Sequence, residues 1–331
     1  MWDLIFNRNK KHLPNYFSYS QINSYQICPL QYKLVYIDGI KRKYESIESY
    51  MGKRVHGVLE WLYKPENKEK LINFDRICKE YDKDWIENWN SNIFVVNVKY
   101  NRKEKKYEHP LLSDKELERK HNLFYSIGKE CLSNYYKDYY PFDQSVFGRE
   151  LELTFSVREY DKKNEPKFDK VTGTCIEKGN TLKEYPFKGI IDRIDKPYEQ
   201  KWEIHDYKTG KRAKNYSQLK NNFQLALYQI GVKQNFKDVG EINLIWHSLR
   251  HNTNITISHT DKQLYKIEKK IVAIINRLKK QITNLEQFKA KPDHNKSTIC
   301  NWCSVWDECT AKSGLPNPSF NNIIKVSPKS K

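Results

Sequence analysis

Asp206 and Lys208 are the residues of this chain whose spacing is best suited to chemistry. They lie in residues 204–210, which read IHDYKTG and are typical of a short strand ending at a glycine-containing turn. Side chains alternate between the faces of a strand, so Asp206 and Lys208 point the same way and Tyr207 points the other. A carboxylate suits a hard divalent cation, and a neighbouring ammonium can position a water or neutralise a developing phosphate charge.

A second carboxylate precedes this strand. Asp192 lies in residues 189–195, GIIDRID, an apolar run that predicts another strand. It is placed to add a second acidic ligand beside Asp206. An Asp-x-Lys triplet is common in so charged a chain, however, and a solvated strand end is the alternative interpretation. The other motifs of the chain have to decide between the two.

The composition indicates a polyanionic partner. The 331 residues include 59 Lys and Arg against 41 Asp and Glu, a formal charge of +18. Such a charge favours nucleic acid first and an acidic membrane surface second, although a generally Lys- and Asn-rich composition also explains it. No stretch approaches the length of a membrane span, and residues 1–3 open no secretory signal. Seven unevenly spaced cysteines argue against a secreted disulfide framework and predict a reducing, cytoplasmic location.

Three of the cysteines have the spacing of a metal site. Cys300, Cys303 and Cys309 form a C-x2-C-x5-C pattern with Trp302 and Trp306 between them. Closely spaced thiolates favour a soft metal. Three thiolates are one ligand short of the four that zinc or a [4Fe–4S] cluster takes. The pattern therefore predicts a fourth ligand elsewhere in the chain, with incidental cysteines as the alternative.

The order of these motifs resembles the PD-(D/E)XK nucleases, specifically the RecB-like exonuclease branch. That branch includes AddB-type nucleases and the CRISPR-associated exonucleases with an iron–sulfur cluster. The core of the resemblance is residues 189–195 followed by DYKTG at 206–210, and it extends from Ser18 to Cys309. It implies an α/β, restriction-endonuclease-like fold with a mixed sheet flanked by helices. It also implies that Asp192, Asp206 and Lys208 are catalytic.

The resemblance assigns a histidine to the metal site as well. His56 lies in G-x-x-x-H-x-x-L-E, a pattern similar to the family's histidine helix, whose apolar residues recur at helical spacing. A packed polar side chain is the alternative interpretation of this histidine. The resemblance implies that His56, Asp192, Asp206 and the Tyr207 carbonyl hold Mg2+ or Mn2+, ligands that suit either ion.

The same resemblance supplies the fourth cysteine. Cys28 follows a predicted helix with an N-cap at Ser18 or Ser20 and precedes a proline, as in the family's first cluster motif. The resemblance implies a [4Fe–4S] cluster on Cys28, Cys300, Cys303 and Cys309, with zinc as the alternative occupant. The cluster would staple the N- and C-terminal parts of the chain together.

Two further patterns bear on the predicted site. Gln224 and Tyr228 lie one turn apart on a predicted helix at 218–234 and resemble the branch's Q-x-x-x-Y motif, which implies DNA contact; helix packing is the alternative. One glutamate of the first core strand, Glu150 or Glu152, is expected to face the metal, and the sequence does not choose between them. Residues 209–212 lack the spacing of a phosphate-binding G-x-x-x-x-G-K-[ST] loop, so no ATP-driven motor is predicted.

The predicted organisation and function follow from these motifs. We expect N-terminal helices carrying Cys28 and His56, a helical insertion, the nuclease core, the C-terminal cysteine cluster and a basic tail, at 1–63, 64–147, 148–290, 291–312 and 313–331. The long helix of the core is expected at 261–290. The predicted activity is metal-dependent exonuclease cleavage of single-stranded DNA or DNA ends, with protein partners in a larger complex. The alternatives are a catalytically silent DNA-binding or assembly subunit and a zinc-containing nucleic-acid-binding protein.

Overall fold

The elements follow one another along a chain that alternates helical and strand segments. A computed structural model describes residues 13–68, 70–291, 299–311 and 322–325. The helices are α1 (Tyr19–Ile27), α2 (Pro29–Tyr32), α3 (Ile47–Leu62), α4 (Phe74–Glu87), α5 (Asp114–Tyr139), α6 (Tyr216–Lys220), α7 (Phe223–Asn235) and α8 (Asp261–Ile282). The strands are β1 (Glu45–Ser46), β2 (Ile93–Phe94), β3 (Lys99–Asn101), β4 (Lys106–Glu108), β5 (Val146–Tyr160), β6 (Lys167–Phe168), β7 (Cys175–Glu177), β8 (Thr181–Tyr198), β9 (Lys201–Lys208), β10 (Glu241–Ser248) and β11 (Thr253–Ile257).

A five-stranded sheet organises the fold, in the order β11-β10-β9-β8-β5. Strand β10 runs parallel to β9, and the other neighbours are antiparallel. The parallel pair requires a crossover, which α6 and α7 provide between the two strands. The predicted mixed sheet flanked by helices is confirmed.

The two faces of the sheet carry separate apolar cores. On β9, Trp202 and Ile204 pack into a core with side chains of α1, α7 and α8. Tyr207 is directed to the opposite face, where it packs with side chains of α3, α4 and α5. This alternation is the one expected of a strand buried on both sides. Residues 206 and 208 therefore share the face of α1 and α7.

The segment between α3 and β5 covers the second face. Helices α4 and α5 pack on α3, and the fully buried Trp85 and Tyr81 lie at the centre of their contact. Helix α5 begins with a capping box, in which Ser113 and Glu116 exchange hydrogen bonds between side chain and backbone. The same segment contains the short strands β2, β3 and β4.

Two predicted helices have different bounds in the structure. The helix expected at 218–234 is two helices, because the side chain of Asn222 caps α7 and interrupts the chain after α6. The helix expected at 261–290 ends at Ile282, and a separate 3₁₀ turn, Leu285–Gln287, follows with Asn284 as its cap. Asparagine side chains compete with helical backbone hydrogen bonds, which explains both interruptions.

Part of the predicted tail is packed against the fold. Ile323 pairs with Phe94 in an isolated bridge, and Ile324 is fully buried in the core beneath α3 and α5. Asn322 accepts a hydrogen bond from the Val95 backbone through its carbonyl at 2.9 Å. The rest of 313–331 lies outside the described residues. Within the described part of the chain, no helix has the length and apolar character needed to cross a membrane.

A buried acid on α8 predicts a pH-dependent stability. Burial raises the pKa of Glu268 from 4.5 to about 7, while one carboxyl oxygen accepts a hydrogen bond from the Arg158 backbone at 3.1 Å. Because the folded state holds the proton more tightly, the acid stabilises the fold below pH 4.5, and that stability is lost as the pH rises through 7.

Glu268→Gln keeps a carbonyl acceptor and cannot ionise. We expect this variant to raise the free energy of unfolding by about 2–3 kcal/mol at pH 8, with little difference from the unmodified protein at pH 4.5. Urea denaturation at several pH values measures both. Glu184→Gln, at an exposed neighbour, is the control and should change little at either pH. An equal gain at both pH values would contradict the titration of Glu268.

Candidate active site

The C-terminal end of β9 carries the central pair of the site. Asp206 is fully buried, and the Lys208 Nζ lies 2.5 Å from its Oδ2. Among the described residues, no hydrogen-bond donor reaches Asp206 Oδ1. A buried carboxylate oxygen without a donor is costly unless a cation or solvent reaches it. The pair therefore presents an unsatisfied acceptor on the predicted face of the strand.

Asp192 reaches the same place through an irregularity in β8. Ile191 and Ile194 both pack into the first core, although their odd spacing would put them on opposite faces of a regular strand, so the alternation changes between them. Asp192 Oδ2 accepts a hydrogen bond from the Tyr207 backbone at 2.7 Å. This contact fixes the carboxylate across the two strands, beside the end of β9.

Helix α3 delivers His56 to these groups. Its Nδ1 lies 3.4 Å from Asp192 Oδ1, and its Nε2 is 3.0 Å from the Tyr207 carbonyl oxygen. The helix can approach because it has Gly52 one turn earlier, where a Cβ would lie 3.1 Å from the Thr209 hydroxyl. Of the four predicted metal-binding positions, His56, Asp192 and the Tyr207 carbonyl are thus in direct contact, and Asp206 is the residue before Tyr207 on β9.

Glu150 is the glutamate of β5 that joins them. Its backbone has a positive φ of 42°, which re-aims the side chain, and its carboxylate forms a group with His56 and Asp192 in which the ligand atoms lie within 4.8 Å of one another. Glu152 instead pairs with Lys188 at 2.9 Å on the exposed side. The choice that the sequence left open therefore falls on Glu150.

The charges of the site are strongly coupled. Burial raises the pKa of Asp206, and the Lys208 ammonium only partly offsets this. Burial opposes the charged form of Asp192 too, but His56 and Lys208 hold its pKa below the usual range. Burial likewise opposes the charge of His56, yet the Asp192 carboxylate keeps the pKa of the imidazole raised. Without a metal, cationic side chains therefore balance the carboxylates.

This arrangement agrees with the comparisons to known proteins. A family model described as the PD-(D/E)XK nuclease superfamily matches residues 16–310. The chain belongs to that superfamily. Its members are nucleases that act on nucleic-acid phosphodiesters and use divalent metals. His56, Glu150 and Asp192 form a group whose ligand atoms could hold such a metal.

The other comparisons add less. A solved structure named "Putative exonuclease", from Eubacterium rectale, is similar to this PD-(D/E)XK protein at 14% sequence identity and a TM-score of 0.44, with 92% of each chain covered. A search of curated proteins found no match.

A buried polar network supports the site from behind. The guanidinium of Arg193, which follows Asp192, forms an ion pair with Asp195 at 3.0 Å and lies over the rings of Tyr63 and Tyr139 at 4.5 and 5.1 Å. His205 contacts the same aspartate at 3.2 Å. An arginine buried to 1% exposure needs such partners, because an unpaired buried charge is strongly destabilising.

The network extends to Tyr207, whose backbone carbonyl contacts His56. Arg193 donates a hydrogen bond to the Tyr135 hydroxyl, which lies 3.2 Å from the hydroxyl of Tyr207. It thereby ties α5 to β8 and β9 on the face opposite Asp206. Sequence reasoning did not find this network, because its members come from strands and helices whose pairing no local pattern reveals.

A second lysine near the site was also missed. Lys214 lies 4.6 Å from the centre of the Trp246 ring, and Lys208 lies over the same ring at 4.9 Å. Burial, and then the charge of Lys208, lowers the pKa of Lys214. The basic run after DYKTG was the available signal for an extra cation here.

The Q-x-x-x-Y pair lies beside the carboxylates, but within the core. Gln224 Nε2 donates to the Tyr228 hydroxyl at 2.8 Å, and Tyr228 is only 6% exposed. Burial raises the pKa of Tyr228 strongly, and the charges of Asp206 and Asp192 add to the rise. The pair thus adjoins the acidic site, and its contact with DNA stays a prediction.

The four predicted cluster cysteines surround one small cavity. Cys28, Cys300, Cys303 and Cys309 line it together with apolar side chains of α2 and of the C-terminal loop. The thiols form no disulfide. Gln31 contacts two of them, with its backbone N–H 3.4 Å from Cys28 Sγ and its amide nitrogen 3.7 Å from Cys303 Sγ. The structure therefore joins Cys28 to the cysteines at the other end of the chain.

Proposed function

We propose that this protein is a metal-dependent DNA exonuclease of the RecB-like branch. It acts on single-stranded DNA or DNA ends, in repair, recombination, replication or defence. The observation that carries the proposal is the convergence of Asp192, Asp206 and Lys208 with His56 at the end of β9.

The residues at this point fit a divalent cation. Asp192, Asp206, Glu150 and the Tyr207 carbonyl offer hard oxygen donors, and His56 offers a nitrogen that suits Mn2+. His56 and Lys208 balance part of the charge of these carboxylates. When bound, Mg2+ or Mn2+ supplies Lewis-acid stabilisation of the phosphate charge and lowers the pKa of a water.

Lys208 provides a fixed positive charge in the site. Burial opposes its charged form, but the carboxylates of Asp206 and Asp192 keep the pKa of the ammonium raised. It therefore acts as a hydrogen-bond donor that orients the attacking water and neutralises negative charge on the phosphate, and it is a poor base. Tyr207 keeps its carbonyl toward His56 because the side chain is anchored on the opposite face.

The cysteine site is proposed to hold a [4Fe–4S] cluster. No three of the sulfur atoms, all within described residues, lie within 4.8 Å of one another, whereas a tetrahedral zinc site with bonds of about 2.3 Å holds them about 3.8 Å apart. Burial raises the pKa of Cys303 to about 11, so the thiolate form needs a cationic centre beside it. The raised pKa calls for a metal centre of either kind, and the sulfur spacing favours a larger cluster over a single zinc ion.

The direct test is digestion of end-labelled DNA. With Mg2+ or Mn2+ we expect the protein to release short products from single strands or ends, and with EDTA to release none. A circular single strand of the same sequence is the control and should resist digestion by an exonuclease. Cleavage of the circle would indicate an endonuclease. Binding of the linear strand without any cleavage would favour the silent-subunit alternative.

A further inference from the structure

The cleft of the active site continues into a second groove. The cleft encloses about 540 Å³ and is lined by His56, Asp192 and neighbouring side chains of α3. A groove of about 460 Å³ begins where it ends, and Ser49 and Lys53 line both. A chain-like ligand that leaves the active site along α3 therefore enters this groove.

An exposed tryptophan stands on the far wall of the groove. Trp302 lies between two cluster cysteines and is 45% exposed. Burial raises the pKa of Glu48, and its contacts with its own backbone, with Ser46 and with the Trp302 indole only partly offset that rise. The contact with Glu48 ties the indole edge to α3 and leaves part of the ring open. Glu48 precedes His56 by eight residues, about 12 Å along the helix.

Cationic side chains line the same groove. Arg42 and Lys43 are exposed in the segment before β1, and Lys53 extends from α3. Glu45 offsets only part of this charge, through an ion pair with Lys53 at 2.8 Å. An aromatic face between cations matches a single nucleic-acid strand, whose bases stack and whose phosphates are negatively charged.

We propose that this groove binds the single strand that runs to or from the active site, with a base stacked on Trp302 and phosphates near Arg42 and Lys43. The proposal rests on the proposed nuclease function and adds the path of the strand. It also gives the cysteine loop a direct role, since that loop positions Trp302. An acidic protein segment would need no flat ring, so nucleic acid fits the groove better.

The test measures binding separately from cleavage. In an Asp206→Asn background, which prevents digestion, a fluorescent oligonucleotide of about 16 nucleotides is titrated at several salt concentrations. Trp302→Ala is expected to weaken binding by roughly 5- to 100-fold, and Trp302→Phe to restore most of it. Arg42→Gln combined with Lys43→Gln should reduce the slope of log affinity against log salt by about 1.4.

Two controls keep the outcomes distinct. Tyr198→Ala removes an aromatic side chain that is 71% exposed but lies at the β8–β9 turn outside the groove, and it should not change binding. With Asp206 restored, Tyr198→Ala should also hydrolyse the small diester bis(p-nitrophenyl) phosphate at the normal rate. If the unmodified protein cleaves nothing, the proposed function fails, while the binding contrasts still decide the groove.

Any one of three results with these variants would overturn the proposal that the groove binds a single strand. They are unchanged binding by Trp302→Ala, an unchanged salt slope for the Arg42 and Lys43 variant, and an equal loss in Tyr198→Ala. Because Trp302 adjoins the cluster cysteines, metal content and melting temperature are recorded for its variants. If Trp302→Ala has lost its metal, the charge variant alone decides, since its residues lie outside the cysteine loop. Displacement of the bound oligonucleotide by an acidic peptide would also overturn the proposal.

Discussion

Asp206→Ala is expected to reduce DNA cleavage by at least about 1,000-fold, the scale of losing a group that stabilises transition-state charge. Lys208→Ala is expected to have an effect of similar size. The reason is that the two side chains meet at 2.5 Å on one strand face, where the metal and the reacting phosphate are proposed to lie. Initial rates on a labelled single strand at saturating Mn2+ measure both effects.

The two substitutions should have different effects on the stability of the fold. Asp206 is a buried acid whose pKa is raised by burial, so removing it relieves a cost, and the melting temperature should stay the same or rise. Lys208→Ala removes the counter-charge and leaves Asp206 buried without it, which should cost about 1–3 kcal/mol in metal-free buffer. Calorimetry on both variants separates lost chemistry from lost folding.

Strand β9 offers a matched control for the lysine. Lys201 is as exposed as Lys208, at 32%, and it too lies two residues from an acid, with its Nζ 3.7 Å from Glu203. It lies at the opposite end of the strand, away from the cleft. Lys201→Ala should therefore cleave normally. Near-normal cleavage by Asp206→Ala or Lys208→Ala would show that the residue concerned is not catalytic.

Local spacing was sufficient to predict the groups that lie close together on one element. The alternation of β9 placed Asp206 and Lys208 on one face and Tyr207 on the other, as the two cores show. The superfamily, the mixed sheet and the helix that carries His56 follow from motifs of the same short range. Such patterns can be recognised in the sequence because a strand or helix fixes the direction of neighbouring side chains.

Other features depend on backbone conformation or long-range pairing. The side chain of Glu150 points away from that of Glu152 because Glu150 has a positive φ, and a glutamate in the sequence gives no sign of such a conformation. The partners of Arg193 come from Tyr63 just after α3, from α5, from β8 and from β9, and they meet only after the sheet and helices have packed. The break at Asn222 was the exception, since two consecutive asparagines were a visible capping signal.

The cysteine site carries the second large prediction. Cys28→Ser should remove the proposed cluster, abolish the brown colour expected of the unmodified protein and lower its melting temperature. A link between Cys28 and Cys300 closes a loop of about 270 residues, and loop-closure entropy puts the stabilisation on the order of 5 kcal/mol as an upper value. For a chain of this length, that corresponds to a fall of about 7 °C.

Iron and sulfide analysis after anaerobic purification, together with the visible spectrum, tests the occupant. Cys175→Ser is the matched control, because Cys175 has the same intermediate exposure as Cys28 but lies in the hairpin of β6 and β7. It should keep both colour and melting temperature. Stoichiometric zinc without iron would replace the cluster with a four-cysteine zinc site. A colourless, metal-free protein that melts like Cys28→Ser would show that the four thiols meet without binding a metal.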